Sequence, residues 1–244
     1  MLFRSVFAAV EPVLRGVFEE FSKRGTFVSP VFPRIPYAEA MLKYGTDKPD
    51  LRNPIVIADV TEEFSRDEVE FKAFKNVIKS GGVVRAIPVS GAATQPRSFF
   101  DKLNDWARSE MGAPGLGYIA YEHQLVSADP SGLPVGPWKD RIVAKGPIAK
   151  FVPIEVQALM AQKAGIEAGD VIFFAADKPG SAAKLAGAAR TKIGEELGLI
   201  DKGRFEFCRI VDFPMYEWNE EEKKIDFSHN PFSMPNLEIG RAHV

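Results

Sequence analysis

FPRIPYAEAMLKYGTDKPDLRNP, residues Phe32 to Pro54, is the run of this chain that is hardest to explain as generic core. Tyr37 to Tyr44 reads as a short helix that Gly45 ends, and Thr46 to Asp50 cannot prolong it because Pro49 holds Lys48 in extended geometry. An ordered loop is therefore expected, followed by a short strand over Ile55 to Val60. Asp47 and Asp50 lie among Lys48 and Arg52, so mutual pairing within the turn is the simpler reading of these charges and ligand contact the other.

Working outward, the apolar residues Val6, Phe7, Val10, Leu14, Val17, Phe18 and Phe21 recur at helical spacing from Ser5 to Phe21. Pro12 predicts a kink or a restart in that helix, and Gly25 a stop. Downstream, the charged stretch Glu62 to Glu70 reads as a shift from one domain to the next. Val83 to Ile87 reads as a strand, and Phe99, Phe100, Leu103 and Trp106 as a helical stripe between Pro96 and Gly112. That spacing favours core over a base-stacking platform. Leu116 to Tyr121 returns as a strand, and Ser127 to Trp138 as a long Pro- and Gly-rich loop.

Val156 to Ala164 predicts a helix, Val171 to Ala175 a buried strand, and Ser181 to Leu197 a second helix with Ser181 as N-cap. Asp177 and Lys178 then lie at a strand end, as a turn or as a site. The interleaved order fits a two-layer α+β module. Phe205 to Phe213 and Lys224 to Ser228, joined through Trp218 to Lys223, read as an antiparallel hairpin. No internal repeat is found.

Composition sets independent bounds. The 244 residues, 45% hydrophobic, suffice for one large domain or two ordinary ones. A formal charge of −2 excludes a chain that is basic overall, yet leaves room for a local basic patch. Cys208 is the only cysteine, so an internal disulfide or cysteine-rich zinc site is excluded and a reducing cytoplasm fits. Arg4, Glu11 and Pro12 interrupt the first apolar stretch where a signal peptide needs an unbroken core, so a soluble, unexported protein is expected. Phosphate-loop, dinucleotide, zincin and nucleophile-elbow signatures do not occur.

Phe32 to Pro54, together with Val211 to Pro235 (VDFPMYEWNEEEKKIDFSHNPFSMP), resembles bacterial-type aspartyl-tRNA synthetases. The first block resembles the end of the first half of their catalytic domain, and the second the point of re-entry into it. The middle resembles the GAD insert, which that family shares with the B subunit of the tRNA-dependent amidotransferase. The resemblance implies an α+β fold: parts of the class II antiparallel catalytic domain flanking an inserted two-layer GAD domain. It implies domains at 1–58 (catalytic, first half), 59–204 (insert) and 205–236 (catalytic hairpin). Residues 237–244 form a separate tail, because EIGRAHV coincides with one reading frame of a common sequencing adapter. No function is expected for its Arg241 and His243.

The family's reaction joins aspartate to ATP as aspartyl-adenylate, with Mg2+ neutralising phosphate charge, and then moves the aspartyl group to tRNA. tRNA, aspartate and ATP are thus the implied partners, and a cytoplasmic homodimer without a membrane anchor is the implied form. At the position matching His229, ahead of Pro231 and Phe232, the family has a histidine that borders the aspartate pocket. Asn230 stands where a second histidine is common. The arginines of class II motifs 2 and 3 find no counterpart, so no catalytic or metal-binding residue is assigned and this stretch is expected to be inactive alone. The competing reading is a GAD-like tRNA-binding module, or an amidotransferase B-subunit-like piece, without adenylate chemistry.

Overall fold

A computed structural model describes residues 2–23, 25–123, 142–219 and 222–227. Contacts divide the chain into two compact units, Met1–Ala40 with Gly203–Val244, and Met41–Lys202.

In the first unit, α1 (Leu2–Phe21) runs as one continuous helix through Pro12, so the expected restart does not occur. Its apolar stripe forms, but Val6, Val10, Leu14 and Phe21 remain exposed, while Phe18 meets the rings of Phe205 and Phe207 edge-on. Strands β1 (Phe27–Val28) and β2 (Arg34–Pro36) each find a partner late in the chain. β1 pairs in parallel with β8 (Arg204–Phe205), and β2 with β9 (Arg209–Val211). The stretch Phe205 to Phe213 is therefore not one arm of a hairpin. It is split between two parallel pairings, and Asp212 follows with φ 56°, outside strand geometry. The hairpin is formed instead by β10 (Tyr216–Asn219) and β11 (Lys224–Phe227), with Tyr216 opposite Phe227.

The second unit holds an antiparallel sheet of five strands: β3 (Ala58–Asp59), β4 (Val83–Val89), β5 (Gly117–His123), β6 (Ile142–Lys145) and β7 (Val171–Asp177), in the order β3-β4-β7-β5-β6. The expected strand Ile55 to Val60 is reduced to Ala58–Asp59. Central β7 pairs with β4 from Val83↔Asp177 to Val89↔Val171, and with β5 on its other side.

The expectation of two layers is overturned. Val171, Phe173 and Ala175 enter one core with Phe100, Leu103, Ala186 and Ile193, from α5 (Arg97–Ser109) and α7 (Pro179–Glu196). Ile172 and Phe174 enter a second core with Phe64 of α3 (Thr61–Ser65) and with Val156 and Met160 of α6 (Ile154–Ala164). Side chains alternate across a strand, so helices cover both faces and the unit has three layers. The unbroken apolar run Val171–Ala175 is the mark of a strand buried on both sides. The reading of Glu62 to Glu70 as a domain shift passed over α3 and the short α4 (Lys72–Lys79), which cover that second face together with α6.

α7 begins two residues before its expected cap. Pro179 occupies the first helical turn, where its missing N–H is no loss, and Lys178 rather than Ser181 stands at the N-cap. Asp177, the last residue of β7, accepts the Lys178 backbone N–H at 2.7 Å, and Lys178 leads the chain directly into α7. No helix among the described residues is long and apolar enough to cross a membrane.

Candidate functional site

The loop Gly45 to Pro54 is held within the second unit by its own charges and by α7. Lys48 Nζ lies 2.9 Å from Asp47 Oδ2. Arg52 donates two parallel bonds to Asp50, of 2.9 and 2.8 Å, and its backbone N–H caps the same carboxylate. The internal pairing expected of this loop is thus what forms. The Arg52 side-chain bond holds the Asp50 carboxyl below the ordinary carboxylate range, against the opposing effect of burial.

A depressed carboxylate contributes stability that is complete above its unfolded value of 3.8 and is lost as pH falls through the lower folded value. Asp50→Asn is therefore expected to flatten the acid limb of the stability–pH curve below about pH 4 by lowering stability at neutral pH while leaving it nearly unchanged at low pH, a small loss for so accessible a pair. Denaturant titrations at pH 3 and pH 7 measure it, and an acid limb unchanged by the substitution contradicts it.

Arg190 of α7 makes the principal attachment. The residue is 1% exposed, and its guanidinium donates from Nε to the Ile55 carbonyl at 2.6 Å and from Nη2 to the Asp50 and Asn53 carbonyls, both at 2.8 Å. Asn53 returns the bond through Nδ2 to the Arg190 carbonyl at 2.9 Å, while its Oδ1 accepts the Ile55 N–H. Burial pushes the Arg190 pKa down, with Tyr44 and Asp50 acting the other way. The planar fork suits three convergent carbonyls and remains cationic. Arginine inside an alanine-rich helix, in GSAAKLAGAARTKIG, is the signal that could have marked it, since neighbours Ala186, Ala189 and Ile193 are all buried.

The backbone of the loop reaches α7 equally closely. A Cβ on Gly45 would fall 2.6 Å from Gly187 Cα, and one on Gly187 would fall 2.8 Å from the Gly45 carbonyl oxygen. Such an arrangement fixes a loop; it offers no nucleophile, base or metal ligand set. Among the described residues, no group of three or more His, Cys, Asp or Glu side chains is placed to hold a metal ion.

Elsewhere in the unit, Asp59 receives Thr61 N–H at 2.9 Å and pairs with Arg85. Burial raises its pKa, but these partners outweigh burial and hold it low. Phe100 stacks on Tyr118, with centroids 4.2 Å apart, and Leu103 is fully buried beside it. Trp106 packs against the same core with Lys192 over its ring. The core reading of this stripe holds, and no stacking platform exists there. His229, Asn230, Pro231, Phe232, Arg241 and His243 lie outside the described residues, as does the loop Ser127 to Trp138.

Residues 74–186 match the GAD domain family. The chain is 67% identical to the aspartate–tRNA(Asp/Asn) ligase of Methylocella silvestris over 234 residues, which are 96% of the chain and 35% of that protein. It is also 67% identical, over 233 residues, to the protein of that name from Methylorubrum populi. A third, from Paramagnetospirillum magneticum, is 58% identical over 232 residues and is covered to 24% of its length. The chain spans about a third of the length of the first two relatives. The resemblance drawn from the Phe32 and Val211 blocks is therefore borne out.

Proposed function

We propose that this chain is a stretch of an aspartate–tRNA ligase that activates aspartate with ATP and charges tRNA for aspartate and, as its relatives' names say of them, for asparagine. The observation that carries this reading is 67% identity extending over 96% of the chain, well beyond the GAD match at 74–186. A GAD-like binding module or an amidotransferase piece would share residues 74–186 without requiring the flanks. In this reading the two flanks are parts of a class II antiparallel catalytic domain, the insert runs over 59–204, and the whole enzyme is a cytoplasmic homodimer. In this reading magnesium neutralises phosphate charge in the complete enzyme, and no described residue is assigned as its ligand.

The test uses the complete enzyme encoded across this chain. Aspartate-dependent pyrophosphate exchange, and charging of both tRNA transcripts, are the expected results; a complete enzyme without aspartate-dependent exchange overturns the reading. The 244-residue chain alone is expected to show no exchange.

His229 is assigned to the amino-acid pocket. The substrate carries a side-chain carboxylate, to which an imidazolium donates a charge-assisted hydrogen bond. Losing one such bond costs about 1.5–3 kcal/mol, so His229→Ala in the complete enzyme should raise the aspartate concentration for half-maximal exchange roughly ten- to a hundredfold. The ATP dependence should move far less. Exchange kinetics with each substrate varied in turn measure this, and an unchanged aspartate dependence in a folded variant returns His229 to a structural role.

A further inference from the structure

Helix α4 presents Lys72, Lys75 and Lys79 at spacings of three and four, which places them on one face. They rim a hollow whose floor includes Phe71 and Phe151, half-buried rings with centroids 5.5 Å apart. Lys150 lies over the Phe151 ring at 4.9 Å. A second cleft adjoins the first through Phe71 and Ala73, and brings Arg97 and Arg108 of α5 to the same region. Against these cations the two hollows line only Glu70 and Asp101 as carboxylates. Asp101 is already engaged by Arg97 at 3.6 Å, Lys75 Nζ donates to the Asp67 carbonyl, and Arg108 Nε to that of Pro114. Lys72 and Lys79 are exposed and have no ion-pair partner among the described residues.

We infer that this surface of the insert, α4 with the side of α5 that lines the second cleft, is a docking surface for the phosphate backbone of RNA. A basic concentration on a chain of net charge −2 is a local feature, since composition as a whole runs the other way. Lysine rims around partly buried aromatic rings suit a nucleic acid better than an acidic peptide, because phosphates take the cations while the accessible ring edges can meet an unpaired base. The inference names a tRNA surface and so rests on the ligase reading, in which tRNA is the partner.

The experiment measures retention of a fluorescent tRNA transcript by the 244-residue chain between 50 and 200 mM salt, with polyglutamate as competitor. K72E/K79E is compared with K184E/K202E, which reverses two other exposed lysines and makes the same change in net charge. About tenfold weaker binding is expected for K72E/K79E at low salt, with a log–log salt slope shallower by about two, and less than twofold change for the control. Equal loss in both variants, or none in either, overturns the proposal, as does polyglutamate held at these lysines while tRNA responds equally to both variants. The readout is binding and not charging, so a failure here leaves the ligase reading standing, and a complete enzyme that fails to charge tRNA leaves this binding result intact.

Discussion

Arg190→Ala should destabilise the Met41–Lys202 unit by on the order of 3–5 kcal/mol, a large part of the stability of an ordinary domain. The substitution removes the donor to the carbonyls of Asp50, Asn53 and Ile55 and leaves them facing an apolar helix at a site closed to solvent. Each buried carbonyl without a donor costs about 1–3 kcal/mol, and a partial return of water keeps the sum below the simple total. Arg190→Lys should recover less than half, because a single ammonium cannot match the fork that reaches three acceptors. Amide exchange of β4 and β7 in increasing denaturant measures the loss within this unit. Exchange unchanged from the parent in Arg190→Ala would show that the loop is held by other means.

The same geometry makes a statement about boundaries. Contacts place residues 41–58 with the insert, whereas the sequence reading begins the insert at Asp59. A piece cut to 59–204 retains Arg190 but lacks all three of its acceptors, so it should unfold at lower denaturant than 41–202. Equal midpoints would mean that Gly45 to Pro54 adds nothing to the insert.

What could be read from the sequence was local. Asp50 and Arg52 are two residues apart and pair as their spacing suggests; Val83, Phe100, Val156 and Val171 announce their elements by period alone. What could not be read needed partners far away in the chain. Nothing near Phe27 or Arg34 specifies a parallel match with Arg204 or Arg209, because register between distant strands has no local signal. Helix α4 escaped notice because it is only eight residues long, and Phe74, Val77 and Ile78 span barely more than one turn of its period. Arg190 escaped because its acceptors are backbone carbonyls more than 130 positions earlier, as with Ile55 at a separation of 135. His229, which lies outside the described residues, is proposed only through the likeness of SHNPF to a family.

Gly45→Ala is expected to cost about 3–4 kcal/mol, more than its single methyl group suggests, because two separate requirements fail together. Gly45 has φ +69°, a left-handed conformation that costs an L-residue about 1–2 kcal/mol. Its Cβ would also meet the Gly187 backbone at 2.6 Å and the Ala183 carbonyl closer still. Those atoms belong to an α-helix and cannot swing aside as a side-chain tip would, so the loop must lift from α7. Lifting it withdraws the Asp50 and Asn53 carbonyls from Arg190, which ties this substitution to the one argued first. Gly165 supplies the comparison: φ is +66° there, but nothing lies within 4 Å of an added Cβ. Gly165→Ala should therefore show the backbone cost alone, about 1–2 kcal/mol. Denaturation of both variants, and of each combined with Arg190→Ala, separates the terms. The Gly45 and Arg190 losses should fall short of additive by at least about 1 kcal/mol, since a loop already lifted has no bonds left to lose. Full additivity, or equal losses for Gly45→Ala and Gly165→Ala, would show that the close approach of loop and helix contributes nothing.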